Sequence, residues 1–288
     1  MSSDIFSDSS LRTPIFPTWC PGCGDFGIWG ALKMALKELK LPEEKVVVVF
    51  DIGCSGDMAD FVRVYGFHGL HGRAIPVAEG VAMANHDLKV IVVGGDGGIY
   101  GEGMGHYIAA CKANQNVTLI VHDNQTYGLT KGQASPTTCL GVKTSSTPTG
   151  VVEVPINPTA TAITAHASWV GRSYAANIPF TKEMMKKAIL HRGFAALDIY
   201  QPCVTFNKLN TQAWFMERVE VIPESYVPND RLKAWEMSQR EDKLPIGVFY
   251  ENTEAKPYTE LLPQLSKGSL LSQFPKTVDL MAALSEFG

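Results

Sequence analysis

An α/β fold with a parallel central sheet is what this sequence predicts, and three observations predict it. Nearly uninterrupted apolar runs occupy residues 46–52, 89–93 and 117–122. Such runs belong to strands covered on both faces, whereas a half-exposed strand alternates. Segments of helical period separate the runs, and a turn rich in Gly or Asn closes each one. Strand and helix in repeated alternation imply crossovers between parallel strands.

In chain order, residues 1–19 read as an arm that is polar through Ser10 and ends in Pro17-Thr18-Trp19. A helix follows Cys23, with Asp25 as its N-cap. Ile28, Ala31, Leu32, Ala35, Leu36 and Leu39 recur on one of its faces. The first strand, 46–52, ends in the sharp turn Gly53-Cys54-Ser55-Gly56. Residues 76–85 read as a helix whose Ala and Gly suit close packing, 89–93 as a strand, and 94–98 as the turn after it. A helix over 103–114 and a strand over 117–122 lead to Asp123-Asn124. A loop then runs from Gln125 to about Gly150, and unstructured loops of such length in compact domains tend to carry function. Residues 167–174 and 194–200 read as strands, with a helix near 181–191 between them. From Phe206 to Gly288 the chain is richer in Trp, Pro and charge and shows no clear alternation. The division expected is an arm (1–19), a main domain (20–205) and an irregular C-terminal extension (206–288) that packs on the core or on a partner.

Composition narrows the function classes. With 45% hydrophobic and 19% charged residues, a sizeable core can be buried. A net charge of −4 leaves no electrostatic footprint for nucleic acid. No apolar run approaches the ~18 residues of a membrane span. The N-terminus has no apolar signal segment, so a cytoplasmic location is expected. Cysteines at motif spacing in that compartment are more often metal ligands or redox groups than disulfides.

Two constellations carry chemistry. In parallel sheets, ligands bind at the carboxyl ends of strands. The turns at 53–56, 94–98 and Asn124 all occupy such ends. Glycines there let backbone N–H groups approach phosphate oxygens, and the helix start after Gly98 adds a favourable dipole. Asp96 offers Mg²⁺ a carboxylate and Asn124 an amide oxygen, the hard donors that ion prefers. Gly95-Asp96-Gly97 alone could equally be a tight turn. The spacing G-D-G-x26-N, however, resembles the thiamine diphosphate fingerprint, in which the Asp, the Asn and a backbone carbonyl two residues on hold Mg²⁺. Here that carbonyl belongs to Thr126. A dinucleotide site is excluded, since no G-x-G-x-x-G turn links a strand to a helix.

The second constellation is cysteine. Cys20 and Cys23 form C-P-G-C, Cys54 lies in I-G-C-S-G, and Cys203 in Q-P-C-V. Trp19 before the pair gives a superficial thioredoxin look, but no strand precedes it. On the cysteines alone, tetrahedral zinc and an iron–sulfur cluster fit equally. The neighbouring diphosphate site favours the cluster, because a redox-inert zinc on that turn has no evident use. Of the other two, Cys111 reads as core packing on a helix face, and Cys139 as an alternative ligand with no second Cys nearby.

With these residues in place, the chain resembles the β subunits of thiamine diphosphate-dependent 2-oxoacid:ferredoxin oxidoreductases. The pieces are W-C-P-G-C-G at 19–24, I-G-C-S-G at 52–56, L-H-G-R-A-I-P at 70–76 and G-G-D-G at 94–97. They continue with D-N-Q-T-Y-G-L-T-K-G-Q at 123–133, S-P-T-T at 135–138 and Q-P-C-V-T-F-N at 201–207. The resemblance covers roughly residues 14–210 and implies a thiamine diphosphate-binding fold. It implies that Cys20, Cys23, Cys54 and Cys203 ligate one [4Fe–4S] cluster, and that Asp96, Asn124 and the Thr126 carbonyl bind Mg²⁺. It implies that Ile52, Gly53, Cys54, Ser55, His71, Gly97, Gly98, Gly128 and Leu129 line the thiamine diphosphate. The implied reaction is the reversible oxidative decarboxylation of a 2-oxoacid with coenzyme A to an acyl-CoA, CO₂ and reduced ferredoxin.

The resemblance also implies what is missing. Nothing here matches the pyrimidine-binding domain with its activating Glu. That domain and coenzyme A binding are expected on an α subunit, in a dimer of αβ heterodimers. Asp57 stands where the family often carries a basic residue after C-S-G, so a distal substrate carboxylate would have to find its charge partner in Arg73, Lys131 or the α subunit. His71 is expected on the cofactor side. The plainer readings are an incidental surface loop for His68 and Arg73, and a structural ion pair for Lys131. The substrate expected is 2-oxoglutarate, with pyruvate as the alternative. A non-redox thiamine diphosphate enzyme with structural zinc, or a non-catalytic binding module, are the competing readings.

Overall fold

All five strands expected from the sequence form, in one sheet. The structure is a computed structural model describing residues 11–273 and 280–286. Most of the arm expectation (1–10) and part of the extension (274–279, 287–288) lie outside the described residues.

The elements are α1 (Asp25–Glu38), β1 (Val46–Phe50), β2 (Tyr65–His68), α2 (Ala74–Ala84) and β3 (Lys89–Gly95). A π-helical segment (Gly97–Glu102) leads into α3 (Met104–Ala113) and β4 (Val117–Asp123). Then come α4 (Pro158–Thr164), β5 (Trp169–Tyr174), α5 (Ile178–Leu190) and β6 (Ala195–Tyr200). The chain continues through α6 (Gln212–Arg218), β7 (Val219–Val221), α7 (Arg231–Ser238) and β8 (Leu244–Glu251).

The sheet order is β2-β1-β3-β4-β6-β5-β8-β7. The first six strands in that order are parallel. β8 runs antiparallel to β5, and β7 pairs parallel to β8. Side-chain alternation divides the core into two layers. Val48, Phe50, Ile91, Val93 and Ile120 pack with Leu32 and Leu36 of α1 and Met185 of α5. Val49, Val90, Val92, Leu119 and Val121 pack with Ile75 and Ala78 of α2 and Tyr107 of α3. The strands are covered on both faces, which is why they read as continuous apolar runs.

Four features differ from the sequence reading. Asp25 does not cap α1: Gly24 is the N-cap, and Asp25 is the first helical residue with its side chain buried. α2 starts two residues before Pro76, which the first turn tolerates because its missing N–H would have no helical acceptor there. β2 is an unforeseen edge strand whose four residues are all exposed, so no apolar run marks it. The C-terminal segment supplies α6, β7, α7 and β8, two strands of the sheet, rather than lacking alternation. Pro245 and Gly247, both strand-weakening residues, hide β8 in the sequence. Among the described residues no helix is long and apolar enough to cross a membrane.

Adjacent strands β5 and β6 place Arg172 opposite Asp198 in register. Arg172 Nε donates to Asp198 Oδ2 at 2.9 Å, and Tyr100 Oη donates to Asp198 Oδ1 at 3.1 Å. Both ionic side chains are buried. Arg172→Met leaves an unpaired buried carboxylate and is expected to lower unfolding stability by about 3–5 kcal/mol, read from denaturant midpoints.

Candidate functional site

Because β1, β3 and β4 are neighbours in the sheet and parallel, the turns at their carboxyl ends share one edge. A cavity of about 230 Å³ opens there. Its lining includes Ile52, Gly53, Cys54, Ser55, His71, Asp96, Gly97, Gly98, Asn124, Thr126, Gly128 and Leu129. Asp57, His68, Glu102 and Tyr127 also line it. The two residues predicted to meet a distal substrate carboxylate do not. Arg73 is exposed, and its guanidinium donates to the Gly72 carbonyl at 3.4 Å and the Glu102 carbonyl at 3.3 Å. Lys131 is exposed on a turn with φ of +77° and stands outside the lining.

The floor of the cavity is built from close backbone approaches. A Cβ on Gly98 would fall 1.7 Å from Asp51 Oδ2, so only glycine permits this turn to lie against β1. Asp51 itself accepts the Gly72 N–H at 2.9 Å, tying the His71 loop to the strand end. Burial pushes its carboxyl up to about 6. Ser55 Oγ is buried and has no hydrogen-bond partner among the described residues. A buried hydroxyl without a partner at the edge of a cavity is a group that a ligand would satisfy.

Asp96 is held from behind by the long loop. Ser135 Oγ donates to Asp96 Oδ2. Thr137 Oγ1 reaches the same oxygen at 2.6 Å and Asp123 Oδ1 at 2.8 Å. Burial raises the Asp96 carboxyl to about 6 and holds the Asp123 carboxyl well above the usual range. A bound cation would oppose both shifts, since a positive charge favours the ionised form. Asn124 Oδ1 accepts the Thr126 N–H at 3.0 Å, an Asx turn that fixes the Asn side chain beside the Thr126 backbone. Ser135 and Thr137 lie in the S-P-T-T piece, to which the sequence reading attached no role.

Cys20, Cys23, Cys54 and Cys203 line a second cavity, also of about 230 Å³. They come from the start of α1, the turn after β1 and the segment after β6. All four are free thiols. Among the described residues no three His, Cys, Asp or Glu side chains converge to hold a metal ion. Burial pushes the Cys54 thiol up to about 12 and the Cys23 thiol higher, with the Asp25 carboxylate adding to both. Cys111 is buried on α3, and Cys139 faces Gln125 and Asn210 instead.

Two residues around these thiols have no functional role in the sequence reading. Cys23 Sγ lies 3.2 Å from Asp25 Oδ2, and Gln201 Nε2 lies 3.2 Å from the same sulfur. Asp25 Oδ1 is 2.6 Å from His122 Nδ1, with both side chains fully buried. Asp25 follows the C-P-G-C pair by two residues and Gln201 precedes Cys203 by two, which is the signal that marks them.

The two cavities share a wall. Cys54, Asp57, Asn124, Gly128 and Leu129 line both. Gly128 keeps that wall thin: a Cβ there would stand 3.5 Å from Cys54 Sγ and 3.9 Å from Cys203 Sγ.

Comparison with known proteins follows this geometry. Residues 51–199 match the family described as thiamine pyrophosphate enzyme, C-terminal TPP binding domain. Residues 203–267 match the C-terminal region of the pyruvate ferredoxin oxidoreductase beta subunit. The chain is 44% identical over 266 residues to a 2-oxoacid:ferredoxin oxidoreductase subunit beta of Saccharolobus solfataricus, covering 88% of this chain and 87% of the relative. It is 43% identical over 204 residues to a 2-oxoglutarate oxidoreductase subunit KorB of Mycobacterium tuberculosis, covering 71% of this chain and 53% of the relative. A solved 2-oxoglutarate:ferredoxin oxidoreductase from Magnetococcus marinus, with 2-oxoglutarate, coenzyme A and succinyl-CoA bound, superposes with a TM-score of 0.89. Its sequence is 35% identical, and the match covers 96% of this chain and 94% of that one.

Thr137→Val removes the hydroxyl that Asp96 and Asp123 share. The hydroxyl has one proton, so one carboxyl loses its donor and the other a polar neighbour within hydrogen-bond distance. The variant is expected to be destabilised by about 1–3 kcal/mol, measured by denaturant unfolding without added ligands.

Proposed function

We propose how this chain, which belongs to the family of 2-oxoacid:ferredoxin oxidoreductase β subunits, performs its share of catalysis. The first cavity takes thiamine diphosphate with Mg²⁺, and the second a [4Fe–4S] cluster. With an α subunit, the enzyme converts a 2-oxoacid and coenzyme A to an acyl-CoA, CO₂ and reduced ferredoxin. When bound, the thiamine group supplies an electron sink for decarboxylation and the cluster a one-electron acceptor. The observation that carries this reading is the shared wall, since it sets a cofactor cavity directly against a cavity lined by four thiols.

The residues present fit both groups. Asp96, Asn124 and the Thr126 carbonyl would hold Mg²⁺, an oxygen-only donor set suited to that ion beside phosphate. The Gly97 and Gly98 backbone, with the Ser55 hydroxyl that has no partner among the described residues, would receive the diphosphate. Ile52, Gly53, Leu129 and His71 would border the ring end of the cofactor. The four thiols line one cavity, and Cys ligands at that number would serve an iron–sulfur cluster. The family's β-subunit designation implies a partner, and the activating Glu and coenzyme A site are proposed to reside there, in a dimer of αβ heterodimers. Ferredoxin is the proposed electron acceptor, and the cytoplasm the proposed compartment, where thiols at ligand spacing stay reduced.

For substrate, 2-oxoglutarate is proposed, because the Mycobacterium tuberculosis and Magnetococcus marinus proteins carry that name at the likeness given above. Pyruvate is the second reading. One observation favours it: Asp57 lines both cavities, whereas neither Arg73 nor Lys131 lines the cofactor cavity. The cation that would meet a distal carboxylate is therefore assigned to the α subunit rather than to Arg73 or Lys131.

Two outcomes are expected. Asp96→Ala removes the only carboxylate in its Gly-rich turn and should abolish Mg²⁺-dependent thiamine diphosphate binding, measured by calorimetry, while iron content stays unchanged. Unaltered affinity would mean the site is misplaced. Anaerobically prepared protein should contain about four iron and four sulfide per chain. It should turn over 2-oxoglutarate with coenzyme A and a viologen dye only after the α partner is added, at a higher kcat/KM than pyruvate. Stoichiometric zinc without iron would refute the cluster, and a preference for pyruvate would select the second reading.

A further inference from the structure

We infer that Ser135 and Thr138 form a hydrogen-bonded bridge that fixes the spacing between the two turns proposed to hold Mg²⁺, and that this bridge gives the site its preference for Mg²⁺ over a larger divalent cation. The inference rests on the Mg²⁺ site proposed above and goes beyond it by assigning a positioning role to residues outside the donor set. Asp96 stands on the turn after β3, whereas Asn124 and Thr126 stand on the turn after β4. The ladder between the two strands ends at Gly95 and His122, short of all three.

The bridge has three links in series. Ser135 Oγ donates to Asp96 Oδ2. The Ser135 backbone N–H donates to Thr138 Oγ1 at 2.8 Å. The Thr138 hydroxyl donates in turn to the Gln125 carbonyl at 2.8 Å, between Asn124 and Thr126. A hydroxyl carries one proton and two lone pairs, so Thr138 accepts one bond and donates the other at the same time. An ionised carboxyl has about four acceptor sites, so the Ser135 hydroxyl and a cation can share Asp96. Ser135 and Thr138 are both buried. A second tie runs beside the bridge: Thr126 Oγ1 and the Tyr127 N–H both donate to the Gln133 carbonyl, each at 3.0 Å.

Gln125 shows what the bridge holds in place. Its φ is +60°, in the left-handed region that a residue with a side chain seldom adopts. Such a conformation persists where the surrounding contacts over-determine it. Here the Asx turn of Asn124 lies on one side and the Thr138 hydroxyl on the other. Gln125 carries the chain from one proposed donor to the next, so its backbone angles set the Thr126 carbonyl relative to the Asn124 amide. Mg²⁺ demands near-ideal octahedral geometry at about 2.0–2.1 Å, whereas Ca²⁺ accepts a flexible shell at about 2.3–2.6 Å. A rigid donor spacing therefore favours the smaller ion. Contacts that back metal ligands in this way are typically worth about 10–100-fold in metal affinity.

The test is calorimetric binding of thiamine diphosphate to the purified αβ complex, freed of cofactor and divalent metal and then supplied with Mg²⁺ or with Ca²⁺. Thr138→Val removes the bridging hydroxyl and keeps the branched shape. It should weaken Mg²⁺-supported binding by about tenfold or more and Ca²⁺-supported binding by less than about threefold. Thr138→Ser keeps the hydroxyl and should restore the wild-type ratio of the two affinities. Unchanged Mg²⁺-supported binding in Thr138→Val, an equal loss with both ions, or a Thr138→Ser variant that behaves like Thr138→Val overturns the inference. Should Thr138→Val not fold, Ser135→Ala cuts the bridge at its Asp96 end and decides alone: it should lower the same ratio, and an unchanged ratio overturns the inference. Wild-type complex that binds thiamine diphosphate equally well without a divalent ion is a different result, because it removes the Mg²⁺ reading itself.

Discussion

Parallel pairing of β1, β3 and β4 is the constraint on which the rest depends. Phe50 lies beside Val93, and Gly95 beside His122, so the three strands end together. In a parallel sheet every strand delivers its following turn to the same edge. The Cys54 turn, the Asp96 turn and the Asn124 turn therefore meet without any long excursion of the chain. β6, next to β4, brings Cys203 to the same edge, and α1, packed on the face of the sheet, brings Cys20 and Cys23 to it.

That convergence concentrates negative charge. Asp25, Asp51, Asp96, Asp123 and Asp198 are all buried near the strand ends, and Arg172 answers only Asp198 directly. The remaining carboxylates are met by hydroxyls, backbone N–H groups and His122. Burial holds Asp51, Asp96 and Asp123 above the normal carboxylate range. A site with this balance is the electrostatic counterpart of the cation proposed for it. Fold stability and ligand binding are thereby coupled through the same side chains.

The shared wall has a mechanical origin as well. Cys54 belongs to the turn whose next residue, Ser55, faces the cofactor cavity. Gly128 stands opposite with no side chain to thicken the partition. Cys54, Asp57, Asn124, Gly128 and Leu129 make up that partition. Asp57 borders both cavities, so the charge at this position bears on either group.

The apolar runs, the Gly-Asp-Gly and Asn turns and the motif-spaced cysteines were legible in the linear chain, because each depends on local rules: burial on both faces, φ freedom and ligand chemistry. Every cofactor-lining and metal-ligating residue named from sequence borders one of the two cavities. Tertiary structure alone decided what depends on distance. Arg73 and Lys131 stand near the motifs in sequence, yet their side chains stay on the exterior, since one binds backbone carbonyls and the other follows a left-handed turn. β8 stayed hidden because pairing with β5, rather than intrinsic propensity, holds a strand containing Pro245 and Gly247. Ser135 and Thr137 find Asp96 across a long loop, and Gln201 and Asp25 meet at one sulfur from opposite ends of the domain. Sequence patterns report which face of an element is buried, but which polar atoms share a proton or a charge is set only when the chain closes on itself.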